Sequence, residues 1–360
     1  MSADDIRLSA GGMRRRSGKV HDSRITLSHG AGGKAMRDLI DDVFVAGFDN
    51  AALAPLEDQA RFSLADLARY GDRLAFTTDS YVVDPLFFPG GDIGALAVNG
   101  TVNDLAVSGA RPLYLSCAVI LEQGLEIETL RRVAASMRAA AAQAGVCFVT
   151  GDTKVVERGA ADKLFINTAG IGVIPQGIEI AATRARPGDA VLVNGYIGDH
   201  GAAILKARKD LALDAAIASD CCALNGLVDH LLAACPRVRC LRDATRGGLA
   251  TVANEFARAA GVSIHLDESA IPVREEVRGV CEILGLDPLY LANEGKLVIV
   301  VPGEDAAAAL QALRAHPLGV DAAVVGRVRT APQGVVILST VFGGERIVDM
   351  LVGEQLPRIC

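Results

Sequence analysis

Three aspartates stand where a chain commonly puts chemistry. Asp79 follows Leu74-Ala75-Phe76-Thr77-Thr78, Asp152 follows Phe148-Val149-Thr150-Gly151, and Asp243 follows Val238-Arg239-Cys240-Leu241-Arg242. Each comes just after a strand-like run, and in open α/β sheets ligands bind beyond the carboxyl ends of strands. Several carboxylates so placed point to a divalent cation, which takes oxygen ligands, held against a phosphate. A single Asp there is a turn former or a helix cap; three ask for more. In Gly151-Asp152-Thr153-Lys154 the lysine can meet a phosphate while the aspartate meets the metal, the division of labour of phosphoryl transfer, although a plain surface turn reads the same way. Asn293-Glu294-Gly295-Lys296 sets a second Glu and Lys in one loop, which alone is a hairpin.

Two glycine-rich stretches offer backbone N–H groups to an anion at a helix start: His29-Gly30-Ala31-Gly32-Gly33-Lys34 and Asp243-Ala244-Thr245-Arg246-Gly247-Gly248. The first is no P-loop, because its glycine spacing is too short and Ala35 stands where Ser or Thr would hold Mg²⁺. Each can equally be a linker or an empty helix entry. A helix is predicted over 93–107, capped by Asp92 and ended by Gly109, with Asn99 and Asn103 four apart on one face and Ala97, Gly100, Asp104 and Ser108 beside them. Gly inside a helix costs about 1 kcal/mol relative to Ala, so something approaches Gly100 closely: a ligand, a second subunit or, in the plainer reading, a tightly packed sheet.

Of eight cysteines, none forms a CxxC pair, and Cys235 and Cys240 lack the further ligands of a zinc site. Seven read as buried structural thiols. Cys360 differs: it ends the chain after Leu356-Pro357-Arg358-Ile359, where packing least explains a thiol. No HExxH and no Ser/His/Asp hydrolase order occurs among the six histidines. A net charge of −7 argues against general nucleic-acid binding. No apolar run reaches the roughly 18 residues of a membrane span, and the Arg14-Arg15-Arg16 triplet precedes no signal-type apolar core. The expectation is a cytoplasmic protein with no membrane partner.

A chain of 360 residues exceeds what one core usually supports. Short β-branched runs alternate with Ala/Leu segments of helical period, which predicts an α/β or α+β architecture. Strands are expected at 74–78, 112–121, 146–150 and 164–173, with helices at 34–44, 93–107 and 127–144. After the turn cluster Arg186-Pro187-Gly188-Asp189, strands are expected at 190–194, 262–266, 296–301, 322–328 and 335–339, with helices at 200–208, 219–234, 247–260 and 273–284. The organisation predicted is a disordered extension over 1–24, an N-terminal domain over 25–180, a C-terminal domain over 181–342 and a flexible tail over 343–360. Extended at roughly 3.3 Å per residue, the stretch from Gly344 to Cys360 reaches about 50 Å, with Gly343, Gly344 and Gly353 as hinges.

Taken together, His29-Gly30-Ala31-Gly32-Gly33, Glu57-Asp58-Gln59-Ala60-Arg61, Thr78 through Gly91 with its Phe87-Phe88-Pro89-Gly90-Gly91 ending, Gly151 through Val155, Arg242 through Gly248, Asn293 through Lys296 and the terminal Pro357-Arg358-Ile359-Cys360 closely resemble the HypE family of hydrogenase maturation factors. The resemblance covers 25–360. Acids after strands are shared with the wider superfamily of aminoimidazole ribonucleotide synthetase, thiamine monophosphate kinase and selenophosphate synthetase, whereas the ending and the Phe-Phe-Pro-Gly-Gly segment are specific.

The resemblance implies a two-domain PurM-like fold: a homodimer through the N-terminal sheets, a C-terminal α/β sandwich and a mobile tail. It implies a carbamoyl dehydratase using ATP and Mg²⁺ to turn a carbamoyl group on Cys360 into thiocyanate, the source of cyanide for [NiFe]-hydrogenase iron. The implied partners are the HypF carbamoyltransferase, which loads the thiol, and the HypC–HypD complex, which accepts cyanide. Asp104, Lys154 and Glu294 are expected around the thiocarbamate, Glu294 as leading base. Asp58, Asp79, Asp152 and Asp243 are the metal candidates, and His29, Gly30, Gly32, Gly33, Asn103, Gly151 and Thr245 are expected at the nucleotide. The alternatives are a kinase or synthetase of the same superfamily acting on a free substrate, and a nucleotide-binding carrier that only presents Cys360.

Overall fold

The computed structural model describes residues 18–208, 216–353, 356 and 358–360. The first sheet has four strands, β1 (Arg73–Tyr81), β2 (Arg111–Glu122), β3 (Cys147–Val156) and β4 (Leu164–Ile174), in the order β1-β4-β2-β3. Only β2 and β3 run parallel. Helices α1 (Ile93–Val107) and α2 (Ile127–Ala144) cover one face, burying Leu96, Val102, Leu130 and Met137 against Leu115, Val119 and Ile166. The chain turns off α2 at Gly145, whose left-handed φ of 72° closes the helix. The other face is open, and Leu74, Phe76 and Ile120 are exposed there, Phe76 by 72%.

The second sheet has seven strands: β5 (Ala190–Val193), β6 (Cys240–Asp243), β7 (Ser263–Asp267), β8 (Leu297–Val301), β9 (Ala323–Arg329), β10 (Val335–Ser339) and β11 (Glu345–Val348), in the order β11-β10-β7-β9-β5-β8-β6. Around it pack α3 (Asp199–Ala207), α4 (Asn225–Ala234), α5 (Gly248–Ala260), α6 (Glu275–Leu284) and α7 (Ala306–Arg314). Val252 and Phe256 of α5 pack on Ile264, Val298 and Val336. Leu227 and Leu231 of α4 and Leu313 of α7 pack on Leu192, Leu241 and Ile299. Covered on both faces, β8 is buried at all five positions, which is why it reads Leu-Val-Ile-Val-Val without alternation.

Several expectations need correction. The acids do not follow the strands: Asp79 lies inside β1, Asp152 inside β3, and Asp243 is the last residue of β6. Tyr81 in β1 and Thr153, Val155 and Val156 in β3 suit extended backbone and carry the strands onward. Because both sheets are largely antiparallel, the rule for ligands at parallel strand ends does not place this site. The helix expected over 34–44 runs Lys34–Leu39, then through a π-helical stretch Ile40–Val45 to Phe48. The helix expected from 219 begins at Asn225, and 219–224 is a loop. The tail does not begin at 343, since Glu345–Val348 pairs with β10 as an edge strand. The N-terminal extension is also shorter than expected. Residues 1–17 lie outside the described part, but Val20 N–H donates to Asp42 at 3.0 Å and Arg24 pairs with Glu126 at 3.0 Å.

Candidate functional site

The glycine in α1 has a clear cause. A Cβ at Gly100 would lie 2.3 Å from the Tyr81 hydroxyl, so it is the sheet, through the last residue of β1, that approaches the helix. Asp92 caps α1 by accepting from Gly94 N–H at 2.7 Å and Ala95 N–H at 3.0 Å. This rigid start holds Asp104, three turns on, against β1, where its carboxylate accepts from the Thr77 hydroxyl at 2.8 Å. Burial pushes the Asp104 pKa up, and the charge of Asp79 pushes it further.

Asp243, at the end of β6, faces the same space from the second domain. Burial first, then the charge of Asp104, raises its pKa to about 7. Glu294 is 4% exposed, and burial with the charges of Asp243, Asp220 and Asp79 holds its carboxyl well above the usual range, opposed by Arg246. The last residue of the chain meets this cluster. Cys360 is 8% exposed, and its pKa is raised to about 12 by burial and by Glu294, again opposed by Arg246. The tail is docked inward along the segment after β1: Val82 N–H donates to Cys360 O at 3.0 Å, and Asp84 N–H to Arg358 O at 3.4 Å. Beside it, Val82, Arg246, Gly247, Tyr290, Ala292 and Ile359 line a cavity of about 400 Å³.

The loop bearing Glu294 is clamped from three sides. Asp220 accepts the N–H groups of Glu294 (3.0 Å) and Gly295 (3.1 Å) and pairs with the buried ammonium of Lys296 at 3.1 Å. A Cβ at Gly295 would sit 2.0 Å from the Asp220 carbonyl, so only glycine fits this close approach. Asn103, expected at the nucleotide, has its amide engaged here instead: it donates to Cys222 O at 3.0 Å and accepts from Leu224 N–H at 2.7 Å, tying the loop over 219–224 to α1.

The remaining candidates lie elsewhere. Asp79, Thr168, Cys117 and Gly151 form one row across the four strands; at about 4.8 Å per strand, Gly151 and its neighbour Asp152 stand about 14 Å from Asp79. There Asp152 pairs with Lys154 at 2.8 Å, both side chains more than half exposed, and the Lys154 ammonium holds the Asp152 carboxyl below its usual range. Within one chain Lys154 is therefore not beside Cys360. Asp58, Gly151 and Asp152 border a second cavity of about 440 Å³ whose far wall is Phe44, Phe48 and Phe148. His29 is buried, with Nδ1 accepting from Thr26 N–H at 3.0 Å, so it fixes its own loop. A Cβ at Gly30 would meet Val155 at 2.8 Å, which packs the glycine segment onto β3; Gly32, at a φ of 76°, and Gly33 remain open. Thr245 turns the chain into α5, its carbonyl accepting from Gly248 N–H at 3.0 Å.

Among the described residues, no three His, Cys, Asp or Glu groups converge closely enough to hold a metal ion by themselves. Mg²⁺ usually takes one or two carboxylates and completes its shell with phosphate oxygens and water. The crowding of Asp79, Asp104, Asp243 and Glu294, opposed by Arg242 at Asp104 and Asp243 and by Arg246 at Glu294, is the observation that fits a cation. Arg246 and Asp220 were not foreseen as site residues. Arg246 lies within the Arg242–Gly248 motif, and Asp220 lies in the helix expected over 219–234.

Residues 49–174 match the family model described as AIR synthase related protein, N-terminal domain, and residues 186–339 match its C-terminal domain. The chain is 61% identical over 341 residues to the carbamoyl dehydratase HypE of Rhodobacter capsulatus, covering 95% of this chain and 99% of that protein. It is 55% identical over 338 residues to HypE of Escherichia coli (strain K12), covering 94% and 100%. Among solved structures, the hydrogenase maturation protein HypE in complex with ATP matches with a TM-score of 0.88 at 53% identity, covering 93% of this chain and 99% of that one. A HypE–HypF complex matches with a TM-score of 0.76 at 46% identity, covering 87% and 99%. No helix among the described residues is long and apolar enough to cross a membrane.

Proposed function

Because the chain belongs to the HypE family of carbamoyl dehydratases, two AIR synthase related domains in PurM-like arrangement, we propose that it consumes ATP to dehydrate a carbamoyl group carried on Cys360, serving hydrogenase maturation. The observation that carries this reading is the C-terminal thiol buried beside Glu294 within a cluster of carboxylates. In the reaction, the carbonyl oxygen of the thiocarbamate takes the γ-phosphoryl group and ADP leaves. One N–H proton is released as the O-phosphorylated imidate forms, and loss of phosphate from carbon with the second N–H proton then leaves thiocyanate on sulfur. Glu294 is the proposed acceptor of that second proton; burial raises its pKa, so it accepts as the carboxylate when the positive charge of a bound cation and of Arg246 keeps it ionised. Arg246 and Lys154 offset the charge that develops on oxygen and phosphate.

ATP fits the cavity between Phe44, Phe48 and Phe148 and the Asp58–Asp152 edge, the base against the aromatic wall and the phosphates toward the acids. Mg²⁺ would be held by one or two of Asp79, Asp243, Asp58 and Asp152 together with phosphate oxygens, and would offset the charge of the transferring phosphoryl group. For these two sets to meet, a second copy must supply one of them. The open sheet face with Leu74, Phe76 and Ile120 is the surface for such a homodimer, which would bring Lys154 of one copy to Cys360 of the other.

The inward thiol is held un-ionised, with a pKa near 12, and the thiolate is the nucleophilic form. Loading by the HypF-type carbamoyltransferase therefore needs the tail outward. The uncharged thiocarbamate then returns at lower desolvation cost, and cyanide passes to a HypC–HypD-type acceptor. Eight unpaired thiols suit a reducing, cytoplasmic setting. ADP formation by the carbamoyl-loaded protein, compared with Cys360→Ala, tests this reading: ATP turnover independent of Cys360 favours a kinase of the same superfamily.

A further inference from the structure

The docked tail is gripped by a side chain that the proposed chemistry does not use. His200, in α3, is completely buried. Its Nε2 lies 2.8 Å from the carbonyl of Ile359, one residue before the thiol, and its Nδ1 lies 2.7 Å from the Ser219 hydroxyl. A carbonyl only accepts, so Nε2 carries the hydrogen. Burial pushes the His200 pKa down, so the ring is neutral and Nδ1 accepts from Ser219, whose oxygen in turn accepts Cys221 N–H at 3.1 Å. Asp220 is the charged group that bears on the ring, and Phe88 stands edge-on to it at 5.5 Å, fixing its plane.

Ser219 opens the loop whose next residue, Asp220, accepts the N–H groups of Glu294 and Gly295. One line, hydrogen-bonded except at the peptide link between Ser219 and Asp220, thus runs from the Ile359 carbonyl through His200, Ser219 and Asp220 to the backbone of Glu294. The thiol lies just beyond one end and the base at the other. Other donors locate the tail more coarsely: Arg208 reaches Arg358 O at 2.7 Å, and Val82 N–H reaches Cys360 O.

We propose that His200 is a positioning residue, which by donating to the Ile359 carbonyl sets the carbamoyl nitrogen on Cys360 in register with Glu294. This rests on the dehydratase reading. With the other donors intact, a tail that loses His200 still docks, but displaced, and a misplacement of about 1 Å costs about 100-fold in rate.

The test uses the full-length protein with His200→Phe, which keeps a ring of similar size but no donor, and His200→Gln, which restores an N–H. Three quantities are read: carbamoyl loading, the single-turnover rate of ATP-dependent water loss, and the rate of Cys360 alkylation by a charged thiol reagent without ATP. His200→Phe is expected to load like wild type, lose water about 100-fold more slowly and alkylate faster, and His200→Gln to recover most of both. Unchanged dehydration and alkylation in His200→Phe overturn the proposal. So does a joint loss of loading, dehydration and melting temperature that Gln does not rescue, which marks a role in folding alone. If wild type loses no water on adding ATP, the dehydratase reading fails, while the alkylation arm still reports whether His200 holds the tail.

Discussion

Asp243 and Asp152 follow similar runs in sequence, yet the fold gives them opposite electrostatics. Asp243 is shut between two domains with other carboxylates, and its pKa is raised to about 7. Asp152 stands on an exposed edge with Lys154 at 2.8 Å, and its pKa is lowered. In the first region burial and neighbouring acids disfavour the charged carboxylate; in the second the carboxylate is solvated and already paired. Asp79, on the side of the first region, stands about 14 Å from Asp152 across the four-stranded sheet, and in the proposed dimer the two regions meet from different chains.

The largest effect that would sharpen this contrast is expected from Glu294→Gln, which keeps the buried shape and removes the base. Dehydration should fall about 1000-fold with loading intact, measured by single-turnover mass analysis; a fall below tenfold moves the base elsewhere. Next, Lys154→Met should slow the reaction about 100-fold. Mixed with Glu294→Gln subunits, it should recover activity, because each hybrid dimer keeps one site with both residues. No recovery after subunit exchange would place both residues in one chain's site. A smaller effect is expected from Phe76→Asp: a charge on the open face should shift the protein toward monomer in light scattering and lower turnover in proportion, whereas a monomeric wild type would remove the basis for a shared site.

The smallest effect is thermodynamic. Asp243 titrates near 7 in the fold and near 3.9 when unfolded, so the folded state binds its proton more tightly. This group's contribution is greatest below about pH 4 and is lost as pH rises toward 7, by at most about 4 kcal/mol. Asp243→Asn should therefore raise the melting temperature of the nucleotide-free protein more at pH 8 than at pH 4. An equal shift at both would show that burial of Asp243 is not what strains the site.

Much of this was legible in the sequence because it is local. The Asp92 cap, the Gly145 stop and most strands follow from residue type and period, and the oddity of a terminal cysteine survived into the structure as a thiol beside Glu294. What was not legible depends on who meets whom. Gly100 announces a close approach, but only the fold shows that Tyr81 makes it. Asp220 fell inside an expected helix over 219–234, and its true partners, the N–H groups of Glu294 and Gly295, lie 74 and 75 residues away. Asn103 and His29 carry the right chemistry for a ligand, yet the backbone takes their polar atoms first.

The central claim is that the buried region acts on a group attached to Cys360. Intact-mass and peptide analysis of the carbamoyl-loaded protein after addition of Mg²⁺ and ATP tests it most directly. The account predicts loss of one water, located on the peptide ending in Cys360, with ADP formed in equal amount. ATP bound and the carbamoyl group left unchanged on Cys360 would contradict it.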